Sequence, residues 1–277
     1  MIYLGSAGIP LLAKDNSTIG GIKKVAELQL NAFECEFVHG VNMSIASAKE
    51  VGKIAGELKV KLSIHCPYAI NLSSTDKKVI EASKQRIWDS ILRAAELNAS
   101  PVVFHPGYYM GQTSEAAYSL VKQACESLVD KMKKHEIKNV LLGLETTGKM
   151  SQWGTLDELV DLCKKTKSCV PAVDPAHIFA RQAGSIDYLE MFDKLKPLRL
   201  EHIHMHFSGI KWRPAKPSGG NEWYHMEIKT NQPPFEPLAK EILKRKLDIT
   251  IISESPKLEM DSLEMRKIFE NLGYKFK

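Results

Sequence analysis

The sequence predicts a single (β/α)8 barrel, and three observations carry that reading. Eight apolar, β-prone runs alternate in order with stretches of helical period, with no shift in composition between them. The length of 277 residues suits one such barrel, which takes ~250. Most of the later runs end in a His, Asp or Glu, or lead directly into one, at the downstream strand ends where barrel active sites gather.

The elements follow in order. IYLGSA opens the chain and precedes a helix-like stretch over Ile19–Leu30. AFECEFV (Ala32–Val38) is the second strand, followed by SIASAKEVGKIAGEL, and KLSIHC is the third, followed by an amphipathic stretch over Lys77–Leu97. PVVFHP leads into Ser114–Lys134, VLLGLE into Leu156–Lys165, and CVPAVD into Ile186–Leu195. LEHIHMHF is followed by a long loop and then Pro237–Lys246, and DITIISE by Ser262–Leu272. An open doubly wound sheet is the alternative, but GSAGIP after the first strand is a poor match to a nucleotide-binding turn. The whole chain, 1–277, therefore reads as one barrel domain.

The one long interruption, about 208–236, is too long for a routine βα connection. It lies on the expected active-site face and carries Trp212, Trp223 and Tyr224, so it reads as a functional loop.

Composition bounds the rest. Hydrophobic residues make up 44%, enough for a sizeable core, and the net charge of +5 is compatible with a polyanionic partner without demanding one. Cys35, Cys66, Cys125, Cys163 and Cys169 lack CxxC spacing, and the start has no basic segment leading into an apolar core. No apolar run approaches the ~20 residues of a membrane span. The expectation is a soluble cytoplasmic protein, a monomer without a membrane partner.

The chemistry-bearing residues at the strand ends are His65, His105, Glu145, Asp174, His177, His206 and Glu254, with His225 in the long loop. Imidazole nitrogen and carboxylate oxygen are ligands of catalytic Zn²⁺ and also suit Mn²⁺ or Fe²⁺. Carboxylates crowded at one barrel mouth repel one another unless a cation lies between them. Cys66 follows His65 directly and points the other way on an extended strand, which leaves no thiolate in the set.

The ordered motifs HCPYAINL, FHPG, LETTG, VDPAH, MHFSG and SESP resemble the endonuclease IV family of apurinic/apyrimidinic (AP) DNA endonucleases, over most of the chain. The resemblance implies a barrel that holds a trinuclear zinc cluster and cuts double-stranded DNA on the 5′ side of an abasic sugar. By position it assigns His65, His105 and a bridging Glu145 to one metal, and Glu145, Asp174, His206 and Glu254 to a second. His177 and His225 fall to a third, and Tyr68 matches a tyrosine near the DNA. Glu145 and Glu254 are the expected catalytic carboxylates.

Two departures stand out. The family supplies its third metal with an Asp-x-His pair, whereas this chain reads Trp223-Tyr224-His225, with Glu222 one residue further back as the available stand-in. The segment after the second strand, EFVHGVNMS, also differs from the polar, Arg-containing DNA-reading loop of the family. Lys149, Lys211, Arg213 and Lys216 are the candidate phosphate contacts, and Trp212, Trp223 and Tyr224 the candidate wedges. His202, His204 and His206 alternate on one strand, and the role open to the first two is to hydrogen-bond and orient the residues that ligate. The rival reading is a metal-dependent sugar isomerase or epimerase of the xylose-isomerase-like barrel group, which uses a similar Glu/Asp/His/Glu set on a small polyol.

Overall fold

A computed structural model describes residues 1–276. Eight parallel strands close into a barrel: β1 (Ile2–Ala7), β2 (Ala32–Glu36), β3 (Lys61–His65), β4 (Val102–Phe104), β5 (Leu142–Glu145), β6 (Cys169–Val173), β7 (Ile203–Phe207) and β8 (Ile249–Ser253). Each pairs with its neighbours in sequence, and β8 closes on β1 through Ile2 opposite Ile249. Strands this rich in Ile, Val, Leu and Phe bury one face under the helical layer, so nearly every strand position is inaccessible to solvent.

The helices begin where the sequence supplies side-chain acceptors for their first free N–H groups. Ser17, Ser44, Asp76, Thr113 and Thr155 cap α1 (Thr18–Glu27), α2 (Ile45–Glu57), α3 (Lys77–Leu97), α4 (Ser114–Lys134) and α5 (Leu156–Lys165). Asp174 and Asp187 do the same for α6 (Pro175–Arg181) and α7 (Tyr188–Leu195). Each such cap is worth about 1 kcal/mol. The helices α8 (Phe235–Arg245) and α9 (Glu259–Asn271) complete the outer layer. No helix among the described residues is long and apolar enough to cross a membrane.

The helices expected from periodicity match those observed to within three residues at each end. Two features differ. Helix α6 has no counterpart in the sequence periodicity; it starts at Pro175, directly after β6, with Asp174 as its cap. The long loop contains an antiparallel hairpin, Gly209–Pro214 paired with Gly220–Met226, with a bulge at Lys211/Trp212. Its β-prone arms are joined by a Pro- and Gly-rich turn, PAKPSGG, which sequence periodicity read only as irregular.

The barrel interior is unusual for its polarity. Register places Glu34 beside Ser63, Glu36 beside His65, Glu145 beside Ala172, Ala172 beside His204, and His206 beside Ile252. Small residues, Gly5, Ala32, Ser63, Gly143 and Ala172, recur in these facing positions. They leave room for two imidazoles and several carboxylates where most barrels pack Val, Ile and Leu.

Candidate metal centre

The last residues of the strands and the loops after them bring the sequence-selected side chains to the C-terminal mouth. Glu145, fully buried at the end of β5, sits at the centre. Its Oε2 lies 2.8 Å from His105 Nε2 and 3.3 Å from His65 Nε2. Its Oε1 lies 3.0 Å from His206 Nδ1 and 3.5 Å from His177 Nδ1. Glu254 Oε1 approaches the same His206 nitrogen at 3.2 Å.

Two donor sets share Glu145. In His65, His105 and Glu145, and again in Glu145, Asp174, His206 and Glu254, one ligand atom per residue lies within 4.8 Å of all the others. A third group stands beside them: His177 Nε2 is 3.0 Å from Glu222 Oε2, and the His177 and His225 rings are 5.5 Å apart.

Local structure orients the imidazoles. Nδ1 of His65, His177 and His225 donates to the carbonyls of Cys66, Thr146 and Glu254 at 2.8, 2.9 and 3.0 Å. That contact fixes each ring, and in His65 and His177 it turns Nε2 toward the carboxylates of Glu145 and Glu222. Asp174 is held by its capping role, with Oδ1 accepting from the backbone N–H of Ala176 and His177 at 2.6 and 3.1 Å. Among the described residues its Oδ2 is left buried and without a hydrogen-bond partner, as are Glu222 Oε2 and His206 Nε2.

The electrostatics are strained in a consistent direction. Burial opposes ionisation of Glu145, yet His105 and His206 hold it well below the usual carboxylate range. Burial likewise opposes protonation of His206 and His177, but the surrounding carboxylates raise both well above the ordinary histidine value. Burial pushes the Glu36 carboxyl up to about 8. Buried lone pairs without partners cost free energy unless something satisfies them, and the donors here are imidazole nitrogens and carboxylate oxygens. This donor set fits divalent Zn²⁺, Mn²⁺ or Fe²⁺, with Glu145, Asp174, His206 and Glu254 as the most complete group.

The candidate DNA contacts fall out unevenly. Tyr68 is exposed at the rim, its ring 6.0 Å from that of His65. The Arg213 guanidinium stacks on the Trp223 ring at 3.3 Å from its centroid, and Trp223 and Tyr224 form an exposed pair. Lys211 and Lys216 are exposed on the same hairpin. Lys149 Nζ is 3.4 Å from Glu222 Oε1, so it neutralises the third group as well as facing solvent. Trp212 instead points into the fold, half-buried against α6 and within van der Waals reach of Gly184 and Gly220.

Glu34, Glu36 and Ser63 were not singled out from the sequence. The signal was present in AFECE: two glutamates two apart on a buried strand must face the barrel interior together. His202 lies below β7 at the barrel's lower rim, paired with Asp248 and Thr250, whereas His204 is buried inside.

Comparison with known proteins places the chain. The sequence profile of the xylose isomerase-like TIM barrel family matches residues 22–272. An uncharacterized protein of Methanocaldococcus jannaschii is 33% identical over 98% of both chains. A probable endonuclease 4 of Mycoplasma mobile is 28% identical, covering 71% of this chain and 69% of its own. Among solved structures, a D-tagatose 3-epimerase-like protein superposes with a TM-score of 0.71 at 20% identity, over 96% of both chains. Endonuclease IV of Thermus thermophilus superposes at 0.68 and 19%, over 96% of this chain and 98% of its own. At such identities the two superpositions speak to fold alone.

Proposed function

The chain belongs to the xylose isomerase-like TIM barrel family, and from that premise we propose that it hydrolyses the phosphodiester on the 5′ side of abasic sites in double-stranded DNA, using two or three divalent metals, principally zinc. The observation that carries this reading is the number of donors gathered around Glu145. One ion would be satisfied by Glu145, Asp174, His206 and Glu254, yet His65 and His105 converge on the other oxygen of Glu145, and His177, Glu222 and His225 form a further group. A small-molecule isomerase has no use for that surplus, whereas phosphodiester cleavage draws on it. Held by these residues, divalent metal would supply an acidified water at neutral pH and would neutralise charge on the attacking and leaving oxygens.

The chain's own residues supply the rest. Glu145 and Glu254 are the carboxylates that orient the reacting groups, and no Ser or Cys nucleophile is required. The Arg213–Trp223 stack, Tyr224, Lys211 and Lys216 form a cationic and aromatic rim suited to a duplex, and Tyr68 reaches out beside His65. Several relatives similar in sequence are called probable endonuclease 4, which supports the same substrate.

One observation favours the sugar isomerase or epimerase reading. The cavity at the mouth, about 440 Å³, is lined by Glu36, Tyr68, Glu222 and Glu254 together with four histidines, and by no Lys or Arg. Such a wall suits a neutral polyol. The deciding experiment loads the purified protein with zinc and offers it a duplex carrying one abasic site, with ketohexoses in parallel. Incision 5′ to the lesion is the expected result; epimerised sugar without incision would overturn the nuclease reading.

A further inference from the structure

Beneath the mouth, β2, β3 and β7 place a second polar layer inside the barrel that the proposed chemistry does not use. Glu34 is completely buried. Its Oε2 accepts from Ser63 Oγ at 2.7 Å and from His204 Nε2 at 3.0 Å. Its other oxygen, Oε1, lies 2.8 Å from His206 Nε2, a charge contact bent off the hydrogen-bond line, and neither of these two atoms has another partner among the described residues. On its opposite edge the same imidazole turns Nδ1 toward Glu145 and Glu254.

His206 is therefore gripped from below by a carboxylate while it faces the metal donors above. We propose that Glu34 is a positioning residue for the metal centre, acting through His206: its carboxylate holds the Nε2 edge, so that Nδ1 presents its lone pair to the Glu145, Asp174, His206 and Glu254 group. The inference rests on the metal reading given above.

Several features favour this role over simple core filling. An ionised carboxylate is costly in a barrel interior unless it is fully partnered, and an apolar residue would fill the space at lower cost. Ser63 and His204 consume the two acceptor directions of Oε2, which leaves Oε1 committed to His206 alone. The neighbouring small residues Ala32 and Ala172 keep the layer open for this chain of contacts. A ligating imidazole whose second nitrogen meets a carboxylate is fixed in tautomer and orientation and made more basic, and loss of such a partner costs about 10–100-fold in metal affinity.

The test is metal binding by the full chain, which does not depend on any turnover. Zinc affinity is measured by competition with a chromophoric chelator, and the ligand field by the visible spectrum of the cobalt(II) form, for wild type, Glu34→Gln and Ser63→Ala. Glu34→Gln keeps the shape but not the charge. The expected result is zinc affinity about 10–100-fold weaker with shifted cobalt(II) bands and an unchanged number of ions at saturation. Ser63→Ala leaves the carboxylate in place with one donor fewer, and is expected to change both readouts in the same direction by less. Wild-type affinity and spectrum in Glu34→Gln would overturn the proposal, even if that variant melts earlier. Loss of one ion at saturation would also overturn it, by making Glu34 a ligand. If Glu34→Gln does not fold, unchanged binding by Ser63→Ala would overturn it. A wild-type chain that binds neither zinc nor cobalt would instead overturn the metal centre itself.

Discussion

His177 Nε2 lies 3.0 Å from Glu222 Oε2, and a glycine makes that approach possible. A Cβ built at Gly148 would sit 2.0 Å from the same Glu222 oxygen, and Gly148 O accepts the Glu222 backbone N–H at 2.8 Å. The hairpin thus lays Glu222 against a backbone stretch with no side chain, and its carboxylate reaches the place that the chain's own Trp223 cannot serve as a ligand. Glu222→Ala is expected to lower bound zinc by about one ion per chain, read by atomic absorption, with incision down at least ~10-fold. Gly148→Ala should reproduce the metal loss with Glu222 intact. Full metal content in both variants would remove Glu222 from the ligand set.

Glu145 contacts four imidazoles through its two oxygens and is inaccessible to solvent. Glu145→Gln retains volume and removes the charge that the donor sets share. Incision should fall by at least ~100-fold, since even an outer partner of a ligand costs 10–100-fold. The far-ultraviolet circular dichroism should be unchanged, because β5 and its neighbours are held by backbone pairing and apolar packing. Near-normal turnover would exclude Glu145 from the mechanism.

Arg213 is presented on the Trp223 face and forms no ion pair among the described residues, so its charge is available to a phosphate. For Arg213→Ala the slope of log affinity for an abasic duplex against log salt should become shallower by about 0.9, the share of one phosphate contact. Trp223→Ala should weaken binding with little change in that slope, because stacking on a base or sugar carries no counterion release. A slope unaffected by Arg213→Ala would place the duplex elsewhere.

The fold and the upper half of the site were legible in the sequence for one reason. Strand-end candidates such as His65, His105 and Glu254 follow apolar runs whose period and order announce a barrel, so their placement is readable without coordinates. The lower half was not. Glu34 and His204 are separated by 170 positions, and only the closure of the barrel shows that they meet. Trp212 and Trp223 look alike in sequence, yet the bulge between Lys211 and Trp212 turns one ring into α6 and leaves the other exposed. Helix α6 is hidden because it is only seven residues long, Pro175–Arg181, too few for periodicity to register.

Glu158 ties the chain segment after His105 to the helices beneath the mouth, and this gives a stability prediction independent of any metal. Its carboxylate accepts from the Gly154 and Thr155 backbone N–H groups at 3.1 and 2.9 Å, from Tyr109 Oη at 2.8 Å, and from Ser114 Oγ. Burial opposes its ionisation, but these donors, Ser114 foremost, hold it below the usual carboxylate range, while the Tyr109 hydroxyl is pushed up to about 12, burial first and Glu158 second. A carboxyl group lowered in the folded state stabilises the protein above its unfolded value of about 4.3, and that contribution drains away as pH falls through the folded value. Glu158→Gln should therefore melt lower than wild type at pH 7, by about 3 °C for a loss near 1 kcal/mol after allowance for partial exposure. The gap between the two melting curves should begin to close as pH falls below about 4.3 and vanish once it has passed through the lower folded value. Scanning calorimetry at both pH values decides it: a gap that persists in acid would assign the effect to hydrogen-bond shape rather than charge.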